Sequence, residues 1–547
     1  VFAVRVGGFY VDQEDGFYTD VNTGETLDTV EYYGARGSIR ARFGASTEAN
    51  LSVEYLDNDA PSSATLGERL PVDNGGVPIA GVSDPGRFER NASNPGGRVE
   101  IEEISVLGDF SNDFGPITFD LLFNYKDRDG SRAGDDLDHF LGFQGVGGTD
   151  LTVMQNEAFE RYTVEARLSS TAGERFSWLI GADTQGFESV VFLENEGSSF
   201  VPPLASLATR TENTDEELES YSIFGTAEYQ LTDVISVSVE GRVVNDVKTF
   251  SFVRNEMGVN LIDTGQLEVD ETRFLPSATL GFDLAEHGNV YLRYATGYRP
   301  FGFNTGVPDE SFIPYDEEVV RSYEIGWKNT LADDLLDYRL AAFFMDTDDP
   351  QLSTAISSED TTTALQNVSG SEIYGLEAEL NWRIPVGMGR LVGGLTASTI
   401  QGEFDDDTGL LVSVGGAGIV NFDLSGARVP RTRDYIVALN SFYSWPVATN
   451  VDAYVGGSIQ SEGGGYENAI GDSPTRFNSG NPNTAFAGRS LEGFLLGDVR
   501  AGVTWDAWSA AVYVRNIGDE IYLLQNVLQN NYYNEPRKFG AELTYRF

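Results

Sequence analysis

In the closing residues, Phe539, Ala541, Leu543, Tyr545 and Phe547 alternate with Gly540, Glu542, Thr544 and Arg546, so that one face is apolar and the other polar. The same period of two sets Tyr33, Ala35, Gly37, Ile39, Ala41 and Phe43 against Arg36, Ser38, Arg40 and Arg42. It also sets Leu376, Ala378, Leu380, Trp382 and Ile384 against Glu377, Glu379, Asn381 and Arg383. Shorter runs of it are Tyr323, Ile325, Trp327 and Val499, Ala501, Val503, Trp505. Successive side chains of a strand point to opposite faces, so a chain patterned this way from end to end folds as sheet with one greasy face. Two architectures offer such a face somewhere to go. In a soluble sandwich it packs on a second sheet, and in a transmembrane barrel it meets lipid.

Connection lengths separate the two. Short connections fall at 44–47, 111–115, 171–174, 231–233, 286–289, 332–334, 386–389, 446–449 and 505–507. Long polar segments lie between them, at 58–97, 131–151, 193–214, 301–317, 347–367, 403–429 and 464–487. A sandwich has no reason to segregate lengths in this way, whereas a bacterial barrel has short periplasmic turns and long extracellular loops. The reading is an all-β fold, a transmembrane antiparallel β-barrel occupying 1–547 as a single domain. Twenty strands are predicted, at 1–11, 31–43, 48–57, 98–110, 115–127, 152–170, 174–190, 215–230, 234–250, 263–284, 290–300, 318–330, 335–346, 368–384, 390–402, 430–445, 450–463, 488–504, 508–522 and 531–547. By this count the chain enters and ends on the short-turn side. Any further strands come as a whole hairpin, for an expected 22.

Composition agrees with this reading and excludes several functions. No run of 18 apolar residues exists, which excludes a helical membrane protein. Mean hydropathy is -0.23, a value barrels share with soluble proteins because lipid-facing and lumen-facing residues average out. The sequence has no cysteine, hence no disulfide framework and no thiolate metal site. Its two histidines, His139 and His287, leave little material for histidine chemistry. A net charge of -49 argues against nucleic-acid binding, which needs an excess of Lys and Arg, and fits acidic, solvated loops. No signal peptide is present and Val1 already stands in strand-like sequence, so an N-terminal part is expected upstream.

Five segments resemble the TonB-dependent outer-membrane receptors of Gram-negative bacteria. Tyr291-Leu-Arg-Tyr-Ala-Thr-Gly-Tyr-Arg-Pro-Phe-Gly-Phe-Asn304 is similar to that family's mid-barrel strand and loop entry. It is followed by Val320-Arg-Ser-Tyr-Glu-Ile-Gly-Trp-Lys328, then Gly370-Ser-Glu-Ile-Tyr-Gly-Leu-Glu-Ala-Glu379 and Val514-Arg-Asn-Ile-Gly-Asp-Glu-Ile-Tyr522. Glu535-Pro-Arg-Lys-Phe-Gly540 with Tyr545-Arg-Phe547 closes the series, in family order over half the chain. The resemblance implies active import of a scarce solute, most often a ferric siderophore or similar chelate, driven by the TonB complex through a plug domain. The family's plug and TonB box match nothing here, and Val1–Tyr10 resembles its third barrel strand; the plug and first hairpin are therefore expected upstream. A surface lipoprotein as an added partner, contact with outer-membrane lipid and lipopolysaccharide, and passage through the barrel insertion machinery are further implications. The alternatives are a passive porin-type channel and an outer-membrane hydrolase.

Candidate ligand-binding residues follow from where strands meet long loops. Tyr298, Arg299, Phe301 and Phe303, with Tyr466, Tyr532 and Tyr533, offer aromatic faces and one guanidinium to an aromatic, anionic chelate. The competing reading is girdle and loop packing. Asp135, Asp136 and Asp138, Asp346, Asp348 and Asp349, and Asp405, Asp406 and Asp407 supply hard oxygen ligands for Ca²⁺, though without EF-hand spacing; solvated charge is the alternative. No intrinsic cofactor and no catalytic group is expected. Haem is disfavoured because no His stands near Tyr298-Arg-Pro-Phe301. Phe547, a C-terminal aromatic on an alternating strand, resembles the signal that the insertion machinery reads.

Overall fold

The computed structural model describes residues 1–21, 24–62, 68–69, 88–90, 97–136, 150–170, 175–198, 209–285, 288–307, 309–332, 335–355, 363–405, 408–414, 418–466, 490–527 and 530–546. His139, His287, Asp138, Asp406, Asp407 and Phe547 lie outside the described residues. Twenty strands form one sheet. In chain order they are β1 Phe2–Gln13, β2 Val30–Phe43, β3 Thr47–Pro61, β4 Arg98–Asp113, β5 Ile117–Asp136, β6 Asp150–Ser170, β7 Phe176–Ser198, β8 Thr211–Gln230, β9 Ile235–Glu256 and β10 Val259–Asp283. The second half comprises β11 Asn289–Arg299, β12 Glu318–Leu331, β13 Leu336–Asp348, β14 Gly370–Val386, β15 Gly389–Phe404, β16 Ile436–Ala448, β17 Val451–Glu462, β18 Phe494–Trp505, β19 Trp508–Arg515 and β20 Lys538–Tyr545. Each strand pairs antiparallel with the next, from β1 to β20. Among the described residues β1 and β20 are not paired with each other.

Register carries the alternation across the whole wall. Val4 pairs with Ile39, Ile39 with Leu51 and Leu51 with Gly108, all on the outward face, while Arg40, Asn50 and Asp109 share the inward one. Outward side chains stay open to the surroundings, Ile223 at 71% and Phe539 at 76% exposed. In water such a surface would be a gross liability, and in hydrocarbon it is a solvated one. Two aromatic belts bound it. Phe43, Phe176, Tyr229, Trp327, Trp505, Trp508 and Tyr545 stand near the short turns, and Tyr33, Tyr55, Tyr125, Tyr162, Tyr221 and Tyr374 stand higher, on the same face. Glu377, Glu379 and Arg383 face inward, Glu379 pairing with Arg339 at 3.0 Å and Arg383 with Asp337 at 3.1 Å.

The count of twenty strands holds, but several predicted ends move. β5 to β10 run 20 to 25 residues and so include 131–136, 193–198 and 211–214, which the sequence reading placed in loops. At about 3.3 Å per residue and a tilt near 40°, the longest rises roughly 60 Å, far beyond a hydrocarbon band of about 25 Å. Above the lipid both faces meet water, polarity no longer alternates and the pattern fades although the ladder continues. Met257 and Gly258 close the β9–β10 hairpin with φ of 51° and 73°, the left-handed pair of a type I′ turn. At the other extreme the strand predicted over 508–522 ends at Arg515. Asn516 and Asp519 take left-handed φ there, and the Asn516 amide donates to the carbonyls of Glu520 at 2.8 Å and Glu535 at 3.1 Å, which turns the chain out of the wall. The strand predicted over 531–547 begins only at Lys538, because Asn530–Tyr533 pairs instead with Leu523–Val527 and Glu68–Arg69 in a small loop sheet. The strands predicted from 430 and 488 likewise begin at Ile436 and Phe494.

A compact apolar core appears where the chain folds into the mouth of the wall. Phe250 and Phe252, on the inward face of β9, are fully buried with Ile262, Val307, Phe312, Ile313 and Ala364. The loop 300–317 supplies most of the cover. Its conformation is held by side chains that replace missing backbone partners: the Asn304 amide donates to Phe312 O at 2.8 Å and Leu365 O at 2.9 Å and accepts from Leu365 N at 2.8 Å. Gln351 donates to Pro300 O and Asp316 O, both at 2.8 Å. Below the tip, Arg254 donates to Gly306 O and Val307 O at 3.2 Å and Arg210 to Gly306 O at 3.1 Å. Both guanidiniums are buried against Glu256 and Glu212, so no charge is left alone.

Two outcomes test this architecture. Val239 is 51% exposed on the outward face near mid-bilayer height, and Ser238 beside it faces the lumen. Val239→Arg should lower stability in lipid vesicles by about 2–4 kcal/mol in urea titrations, and Ser238→Arg by well under half of that. Asn304→Ala removes the partner of the buried Phe312 carbonyl, at roughly 1–3 kcal/mol, and of the half-buried Leu365 carbonyl and N–H, at less each. Protease added to intact cells should then cut within 300–317 while the barrel keeps its heat-modifiable gel mobility.

Candidate binding surface at the long-loop end

The inward faces of β5 to β9 form a continuous wall at the mouth, beside the folded-in loop. On β5, Lys126 and Arg128 share the inward face with Glu103 of β4, and Lys126 pairs with Glu103 at 2.7 Å. On β6 the inward residues are Glu157, Phe159 and Arg161; register sets Phe159 beside Arg128, and Arg161 between Lys126 and Phe187 of β7. The Phe159 and Phe187 rings stack at 6.0 Å and 26°. Arg128 lies over Phe159 at 4.9 Å and pairs with Glu157 at 2.8 Å, and Lys248 of β9 lies 6.0 Å from the Phe187 centroid while pairing with Glu216 of β8. Lower on this wall Arg242 forks onto Asp183 at 2.9 and 3.0 Å and covers Phe224.

The loop completes the wall from above. Tyr315 sits against Gly302, where a Cβ would run into the Tyr315 hydroxyl and come within 3.1 Å of the Lys248 ammonium; only glycine leaves room. Burial, then the Glu216 carboxylate, push the Tyr315 phenol above its ordinary range against the opposing pull of Arg299. It therefore stays a neutral donor at physiological pH.

The seven residues singled out from sequence divide among three places. Tyr298 donates from its hydroxyl to Asp246, Arg299 is exposed at the strand end, and Phe301 is buried. Phe303 stacks on Phe250 at 4.8 Å and 13°, within the apolar core. Tyr466 pairs with Ser490 under the Arg428 guanidinium, 5.7 Å away. Tyr533 packs on Phe88 at 6.1 Å, and Phe88 in turn meets Tyr18 and Phe17, while Tyr532 pairs with Gln525. That last cluster ties the loops after β1 and before β20, and Lys538 at the long-loop end of β20 covers Phe17 at 5.0 Å. Among the described residues no contact joins the three groups into one pocket. Asp135 and Asp136 stand at the end of β5, Asp346 and Asp348 face Arg321, and among the described residues no group of three acidic or histidine side chains is placed to hold a metal. Sequence reading missed Phe159, Phe187, Lys126, Arg128, Arg161 and Lys248, although Lys126, Arg128 and Arg161 announce an inward face by their parity.

The family model described as TonB dependent receptor-like, beta-barrel, matches residues 40–517. Among curated proteins, the chain is 28% identical over 212 residues to the pesticin receptor of Yersinia enterocolitica, a match covering 38% of this chain and 29% of that protein. It is 28% identical over 172 residues to the ferric-pyoverdine BN7/BN8 receptor of Pseudomonas putida, covering 31% of this chain and 19% of that one. The matched regions thus span less than a third of these relatives. The crystal structure of the ferric yersiniabactin uptake receptor from Yersinia pestis superposes with a TM-score of 0.77 at 17% identity, over 100% of this chain and 75% of that one. The siderophore receptor PiuA from Acinetobacter baumannii gives 0.71 at 16% identity, over 100% and 78%. The fold is shared with both structures, and with the family model spanning most of its length this chain belongs to the TonB-dependent receptor β-barrel family of the Gram-negative outer membrane.

Proposed function

We propose that the complete protein is an active outer-membrane importer of a ferric siderophore or similar iron chelate, energised by the TonB complex through a plug inside the barrel. The observation that carries this reading is width. Closed into a barrel, twenty strands about 4.8 Å apart and tilted about 40° would enclose a backbone diameter of about 40 Å, and among the described residues the folded-in loop packs on the β9–β10 side of it. An open pore of that bore would breach the outer membrane, so a plug and a gated route are required. The names of relatives support the cargo, since they include a ferric-pyoverdine receptor and a ferric yersiniabactin uptake receptor. In this reading the barrel binds and releases its cargo and performs no covalent chemistry. Its girdles sit among lipid and lipopolysaccharide, and the insertion machinery reads the aromatic Phe547.

Accumulation of iron-55 chelate by cells carrying the full-length receptor should fall to background when TonB is deleted or the proton gradient is collapsed. Large, steady conductance of the purified protein in a planar bilayer, with uptake indifferent to TonB, would instead establish a porin.

A further inference from the structure

We propose that the edge of β10 between Gln266 and Thr272 is a docking strand for an extended segment of a partner protein, one that alternates basic and apolar side chains and joins the sheet by backbone hydrogen bonds.

β10 is where the tall part of the wall stops. It pairs with β9 up to the tip at Val259, but with β11 only from Ser277 to Asp283. Pro276, which has no N–H to give to a ladder, stands directly above the last of those pairs. β11 does not climb beside it. Tyr298 instead reaches Asp246 on the inward face of β9, and loop 300–317 follows to cover that face. From Pro276 upward the side of β10 away from β9 therefore carries no ladder among the described residues, whereas β6 to β9 are paired on both sides nearly to their tops. A row of open backbone donors and acceptors is a template for another strand. This one rises from the level of the outer aromatic belt, where Thr272 stands in register with Tyr221 through Asn245, so it is clear of the lipid and of the barrel interior in which a plug sits.

The strand itself bounds the site and specifies its occupant. Gly265, with φ of 58°, sits at a register shift that bends the chain above it and leaves Gln266–Thr272 as the regular window. Gln266, Glu268, Asp270 and Thr272 point outward and are exposed. Leu267 and Val269 are half-buried on the inward side, where Leu267 packs against the core around Phe250. A strand laid alongside sets basic side chains against Glu268 and Asp270 and apolar ones against Leu267 and Val269. A second copy of this chain is a poor occupant, because β10 against β10 opposes carboxylate to carboxylate. The same repulsion turns away acidic strands, so the edge selects its partner by charge.

The test measures fluorescence anisotropy of labelled synthetic peptides on the full-length receptor in a non-ionic detergent. An alternating lysine–valine peptide of the window's length should bind at least about tenfold tighter than its glutamate–valine counterpart, and at least about tenfold tighter than the same lysine–valine sequence N-methylated at every residue, which keeps the charge and cannot form a ladder. Glu268→Lys with Asp270→Lys, both at exposed positions, should reverse the preference between the lysine and glutamate peptides, and unchanged gel mobility before and after boiling shows that this variant is folded. Equal binding of the N-methylated peptide means that charge alone attracts it and overturns the docking strand, as does absence of binding or an unchanged preference in the double variant. Receptor dimers that the lysine–valine peptide dissociates would assign the edge to a second copy and overturn the basic partner.

Discussion

Within hydrocarbon a backbone N–H or C=O has no water to bond, and every such group left unpaired costs several kcal/mol. The ladder from β1 to β20 is the answer this chain gives, each strand from β2 to β19 bonding both neighbours over the stretch between the two aromatic belts. Other features follow from it. A ladder needs strands, strands force alternation, and alternation leaves half of all side chains facing inward, where the width of the wall keeps them wet. Inward charges such as Glu379 with Arg339, and Arg242 with Asp183, are then paired across neighbouring strands at modest cost, because neither partner is far from solvent.

Above the outer leaflet the constraint lapses and the architecture changes character. β9 and β10 continue as a free-standing hairpin, and a free hairpin is marginal in water. It acquires its own core by turning Phe250 and Phe252 inward onto Val307, Phe312 and Ile313 from the next loop. The same need is met at the ends of the wall, where Phe17, Tyr18, Phe88 and Tyr533 knot three loops together over β1 and β20. The long-loop end is therefore a set of small packed units standing on a membrane-embedded rim, and the rim between them is what a ligand can reach.

Legibility in the sequence follows the same boundary. Where lipid enforces alternation, the strand count, the short turns and the orientation of pairs such as Leu376 and Glu377 can be read residue by residue. Where water meets both faces they cannot: 131–136 and 193–198 are strand held by pairing alone, with no pattern to betray them. Loop aromatics show the harder failure. Phe301, Phe303 and Tyr533 are chemically suited to a ligand and are used to bury loops, a distinction made by three-dimensional neighbours far away in sequence, such as Phe250 and Phe88. Phe159 and Phe187 sit mid-strand among polar residues and carry no local signal, since only register brings them side by side.

The charge of the chain sharpens the role of that rim. A protein with a net charge of -49 repels anions at long range. At physiological salt, however, a charge is screened over about 8 Å, so acidic loops further away than that weigh little at any one point of a mouth about 40 Å wide. What remains is the local field, and there most cations are already spoken for: Lys126, Arg128, Lys248 and Arg242 each hold a carboxylate. An ion pair presents little net charge to a newcomer, but it holds its guanidinium or ammonium still. Among the described residues the result is a surface in which fixed, neutralised cations shape the wall around the Phe159 and Phe187 rings, and Arg161 beside them makes no ion pair. A single unpaired cation can set the sign of the field beside it, so the wall can differ locally from a molecule whose net charge is -49.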